Sequence, residues 1–178
     1  MASKIKVDQI QTGDGTGTIA LQNQLSGMTA ASMPTGSVLQ VVSARPAVTL
    51  TTTSSSWVAT GTELNITPTA TSSKILVLVN SGLFWANTSN SPGSGGGATI
   101  YRDSTNLGIG GTAHMSRTYR IGAVSIQDKT SMSILDSPNT TSSVKYEVYM
   151  KSIWSNPSMR WNDQGSDIAT ITLMEIAG

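Results

Sequence analysis

The apolar residues of this 178-residue chain come in strand-length runs, and no window of eleven or more residues repeats them with helical spacing. An amphipathic helix repeats every 3.6 residues and a half-buried strand every two, so the pattern alone argues for sheet. Val144, Tyr146, Val148 and Met150 alternate with Lys145, Glu147, Tyr149 and Lys151. Ile171, Leu173 and Glu175 alternate with Thr170, Thr172, Met174 and Ile176. Further strands are predicted over 37–43, 48–53, 57–67 (with Trp57, Leu64 and Ile66 as anchors), 98–102, 107–111, 115–128 and 131–135. Residues 74–85, almost wholly apolar at their start, read as one central strand buried on both faces. Residues 87–97 (NTSNSPGSGGG) read as a loop. About eight to ten short strands at this spacing predict an all-β fold, a jelly-roll-like antiparallel β-sandwich.

Residues 1–36 follow another rule. Ile5, Val7 and Ile10 alternate with polar residues, Gly13 to Thr18 interrupt them, and Ile19 and Leu21 resume. The stretch is too poor in apolar side chains to form a core alone and must dock on something, most economically other copies of itself. The expected division is therefore a short extended N-terminal segment, 1–36, followed by a sandwich head, 37–178.

Composition narrows the function. Charged residues make up 12% of the chain, against roughly a quarter in ordinary domains, and the net charge is +1. That excludes a strongly cationic nucleic-acid binder. There is no cysteine, hence no disulfide, thiol nucleophile or thiolate zinc site, and the single histidine, His114, excludes a multi-histidine metal centre within one chain. No nucleophile-elbow pattern surrounds His114, and the glycine clusters at 13–17 and 93–97 fit neither a dinucleotide fingerprint nor a phosphate loop. No catalytic residue, metal or cofactor is expected. The longest aliphatic run, Ile75 to Val79, is far short of the ~20 residues of a membrane span. The N-terminus has no apolar signal core, so synthesis in a cytoplasm is expected. Ser and Thr, 26 and 24 residues, suit a neutral, hydroxyl-rich surface.

Two stretches carry binding chemistry. Tyr101, Arg102, His114, Arg117, Tyr119 and Arg120 gather cations and rings within twenty residues, a set suited to anionic sugars through charge-assisted hydrogen bonds and stacking. Trp154, Arg160 and Trp161 flank an Asn156-Pro157 turn, where a loop-tip tryptophan makes a sugar platform. The competing readings are that the first set divides between opposite faces of two strands, and that the tryptophans cover the end of a sandwich.

The opening Ser3 to Ile10, followed by Gly15 to Ile19, resembles the N-termini of tail-fibre-like virion proteins of marine tailed phages, cyanophages among them. Gly36 to Val42, Ile66 to Pro68 running into Ser73 to Val77, and the closing Ala169 to Ile176 resemble the C-terminal sandwich of those fibres. The resemblance implies a homotrimer located in the virion. Its residues 1–36, with Ile5, Val7, Ile10, Ile19 and Leu21 as contacts, would attach to tail or capsid proteins, and its head would meet host surface polysaccharide. Unlike long fibres, this chain has no extended shaft after residue 36. A short tail fibre, a fibre tip and a capsid appendage therefore all remain compatible with it, as does a purely structural decoration or connector protein. A glycan depolymerase is the third expectation.

Overall fold

The computed structural model describes residues 33–81, 84–87, 94–120, 126–153, 158–162 and 168–178. The expected attachment residues Ile5, Val7, Ile10, Ile19 and Leu21, and the expected platform Trp154, lie outside the described residues.

Thirteen strands are present among the described residues: β1 (Val38–Ala44), β2 (Leu50–Thr52), β3 (Val58–Ile66), β4 (Lys74–Asn80), β5 (Phe84–Asn87), β6 (Ser94–Arg102), β7 (Thr105–Asn106), β8 (Ser116–Arg120), β9 (Ile126–Asp128), β10 (Ser131–Asp136), β11 (Val144–Ile153), β12 (Ser158–Trp161) and β13 (Thr170–Ile176). Every pairing among them is antiparallel. One layer has the order β1-β13-β4-β10 and runs on into β2-β12-β5-β9. The same four chain segments follow one another in the same order through both sheets, so this layer is one four-stranded surface broken across its middle. The facing layer is β3-β11-β6, with β7 and β8 sharing the free edge of β6. Counting eight segments along the chain, the layers read 1-8-3-6 and 2-7-4-5, the interleaved order of a jelly roll. The fold is an all-β antiparallel sandwich.

The core fills the space between the layers. Ile75, Val77, Val79, Ile171 and Leu173 of the first layer meet Ile66, Ala98, Ile100, Val144, Tyr146, Val148 and Met150 of the second, and all are buried. On β13 the two-residue alternation maps directly onto burial, and on β11 it does so at every position but Glu147, which is buried under its bond to Lys145. One buried polar contact ties the layers together: the Trp161 indole N–H donates to Thr62 Oγ1 at 2.8 Å. Within the second layer, Thr60 Oγ1 donates to the Val148 carbonyl at 2.9 Å. Thr60 to Thr62 form a bulge against the single Val148, with Gly61 at φ +78° supplying the left-handed turn.

Several sequence expectations change. Residues 74–85 form two strands, and β4 buries Ile75, Val77 and Val79 on one face only, leaving Leu76 and Leu78 half-buried on the other. The run 115–128 divides between β8 and β9, which belong to different layers, and only Thr105 and Asn106 are strand near the expected 107–111. The glycines at 95–97, expected in a loop, are strand. A Cβ on Gly96 would lie 2.0 Å from Met159 Cε, and one on Gly97 would lie 1.9 Å from His114 Cδ2. Glycine is there so that two side chains can lie against the backbone.

The break in the first layer is stitched by side chains. Asn162, at φ +54°, donates from Nδ2 to the Val48 carbonyl and accepts at Oδ1 from the Ala169 N–H, both at 2.9 Å. Thr49 Oγ1 donates to the Asn162 carbonyl, and Ser81 and Thr130 exchange bonds at the same level.

Candidate glycan-binding face

The outward face of the second layer collects rings from three places. On β11, Tyr149 and Lys151 alternate with the core residues and point away from them. On β6, Tyr101 belongs to the same outward set, and its ring stacks on Tyr149 with centroids 4.0 Å apart and 29° between planes. Trp57, immediately before β3, meets Tyr101 edge-on at 6.5 Å and His114 at 5.0 Å. Lys151 Nζ lies 4.6 Å from the Trp57 ring centroid, within cation–π range. On β8, Arg117 stands opposite Gly97 and Tyr119 opposite Gly95, so both share this face.

His114 is seated on Gly97. Both imidazole nitrogens are enclosed and without a hydrogen-bond partner among the described residues. Burial, with Lys151 and Arg117 nearby, lowers its pKa to about 4. The ring is therefore neutral at pH 7.

At the other end of the face, Lys145 Nζ bridges Glu147 at 2.7 Å and Glu63 at 3.0 Å. Those hydrogen bonds, Glu147's first, raise the lysine above its ordinary range. Burial and then the Glu147 charge raise Tyr149. Both carboxylates are occupied by Lys145. No group of three or more His, Cys, Asp and Glu suited to a metal occurs among the described residues. Beside His114 lies a cavity of about 270 Å³ lined by Leu107, Ile109, His114, Met115, Ser133 and Ile134. It is smaller than pockets that engulf a ligand, roughly 300–1,000 Å³, so the flat face is the better candidate.

The structure thus brings together His114, Arg117 and Tyr119 with Tyr101, and adds Trp57, Tyr149 and Lys151. The other expected site residues stand elsewhere. Arg102 donates to both oxygens of Asp136 at 2.9 Å, and Asp136 also accepts from Tyr146 Oη at 2.7 Å. Burial, then the Asp136 contact, raises Tyr146 above the ordinary tyrosine range. Arg102 therefore anchors one end of the sandwich. Trp161 is fully enclosed in the core, and Arg160 stands beside it on β12 in the opposite layer. Trp57 was expected as a core anchor, and nothing in the alternation of 57–67 shows that its ring turns outward.

No family model matches this chain, and no curated protein matches it. Among solved structures it is similar to that of the infectious bursal disease virus Gx strain, with 17% identity and a TM-score of 0.36 over 90% of this chain and 38% of that one. It is also similar to a variant VP2 protein of infectious bursal disease virus in derived T=1 particles, with 14% identity and a TM-score of 0.31 over 78% of this chain and 36% of that one. The chain spans less than two fifths of the length of either.

Proposed function

We propose that this chain is a non-enzymatic virion structural protein, a short tail fibre or fibre-like appendage that attaches the particle to host surface glycan. The observation that carries the reading is the outward face bearing Trp57, Tyr101, Tyr149 and Tyr119 beside Lys151, Arg117 and a neutral His114. Rings on a flat sheet suit the apolar faces of sugars, while the cations suit hydroxyl and carboxylate groups. Copies joined as a homotrimer would multiply weak contacts into useful avidity.

The placement of the chain ends supports the same division of labour. Gly36 N–H donates to the Ala177 carbonyl, so the chain enters the head from residues 1–36 and reaches its last strand at one pole. Ser54 to Ser56 and the strand ends at Asn87, Ser94, Ile153 and Ser158 gather at the other. One pole is free to hold tail or capsid proteins and the other to face a cell. The chain is made in a host cytoplasm, enters no membrane, binds no nucleic acid and reaches the outside with the particle.

The test is binding of purified protein to polysaccharide from susceptible hosts. Trp57→Ala and Tyr149→Ala should each weaken binding about tenfold or more, roughly 1.4 kcal/mol or above. Arg45→Ala, beyond β1 in the opposite layer, should leave it unchanged. Wild-type protein that binds no host polysaccharide would favour the decoration or connector role, and a falling polymer size would establish a depolymerase.

A further inference from the structure

The outward face of the first layer carries an uncovered apolar row. In register across all four strands stand Val41, Met174, Leu76 and Leu135. The two outermost are 53% and 52% exposed, and Val38, opposite Ile176, is 50% exposed. Single apolar residues on a surface are ordinary, but a continuous row across a sheet is not.

We infer that this face is the surface through which copies of this chain meet. The inference rests on the reading that the chain works as an oligomer and names the face that reading leaves open. Three observations select another copy as the occupant.

The first is charge. Of the residues in register on this face, Lys74 at the rim is the only ionised one, so the face complements itself and offers nothing to a charged partner. The second is polar satisfaction. The neighbouring rows bond within the face, Ser43 Oγ with Thr172 Oγ1 at 2.9 Å and Ser131 Oγ to Asn80 Oδ1 at 2.7 Å, which lowers the cost of covering those hydroxyls. The third is size. Four strands at ~4.8 Å spacing and about seven residues in length give a footprint of roughly 440 Å² per copy. Two copies meeting face to face would bury on the order of 900 Å², the size of a weak specific contact, and a closed trimer about 1,300 Å² shared among its three contacts. Three faces ~19 Å wide closing around an axis would each stand about 5.5 Å from it, half the usual spacing of packed sheets. The row would then lie at the centre, filled by Met174 and Leu76.

The test uses the full chain and light scattering over a range of concentrations. Wild type should give a multiple of 18.6 kDa, and the double variant Val41→Glu, Leu135→Glu should raise the dissociation constant about a hundredfold or more. Both positions are more than half exposed, and an unchanged thermal transition by circular dichroism for the variant at low concentration shows that its fold is intact. Because the chain has no cysteine, Met174→Cys supplies a second readout: oxidation should cross-link two copies of the associated protein. A single-chain mass at every concentration would overturn both the oligomer and the face. An oligomer that survives the double variant and does not cross-link would overturn the face alone.

Discussion

Glu175 shows how much one buried residue can hold. It is fully enclosed, and its carboxylate accepts from Thr69 N and Thr69 Oγ1 at 2.7 Å and from Gln40 Nε2 at 2.6 Å. Burial alone would raise its pKa, but the hydrogen bonds outweigh it and hold the carboxyl below its ordinary value of 4.5. A depressed carboxylate contributes stability that is present above the unfolded value and lost as pH falls through the folded one. Glu175→Gln should therefore cost about 1.5–3 kcal/mol at pH 7 and flatten the decline in stability below pH 4.5, measured by urea unfolding. His114 acts in the same direction for another reason. Its folded pKa lies near 4, below the ordinary 6.5, so between those values only the unfolded chain takes up the proton and stability falls with pH. As the single histidine, its imidazole resonance is unambiguous, and its titration by NMR should have a midpoint near 4. Gly97→Ala would push that ring off its seat, destabilising the protein by about 1–3 kcal/mol and moving the titration toward 6.5.

Strands differ in how plainly the sequence announces them. β11 and β13 were legible because one face of each meets the core and the other does not, so a two-residue period survives in the residues themselves. The break between β4 and β5 was not legible. It is imposed from outside, by the bonds between Ser81 and Thr130 and by Asn162 in the neighbouring segment. Gly96 and Gly97 misled for a related reason: composition shows that a Cβ is missing, but only the folded molecule shows Met159 and His114 in its place. The candidate face was legible in half. His114, Arg117 and Tyr119 are close in sequence, while Trp57, Tyr149 and Lys151 arrive from strands that only the register aligns. The stitch at Asn162 has its own test. Asn162→Asp keeps the acceptor for Ala169 N–H but loses the donor to Val48, whereas Asn162→Ala loses both and tolerates its positive φ less well. Thermal unfolding should rank wild type above Asp above Ala, with Ala about 2–3 kcal/mol below wild type.

For the whole molecule, layers ordered 1-8-3-6 and 2-7-4-5 place few sequence neighbours side by side. Nearly every pairing closes a long loop before it is rewarded, so refolding should take milliseconds to seconds, followed by stopped-flow fluorescence of the four tryptophans, the buried Trp161 among them. A microsecond phase carrying the full amplitude would contradict that topology.

The break across the first layer also has a mechanical meaning. Gly36 and Ala177 meet at one pole, and the strands run between that pole and the far one. Tension runs lengthwise, and each antiparallel ladder resists it with all its rungs in shear. Among the described residues, the outer half-sheet of the broken layer is held by ladders of three or four residue pairs, against seven where β13 pairs β4. Under stretch that short half yields first, giving the molecule a soft spring toward its far pole while the half that carries the apolar row stays rigid.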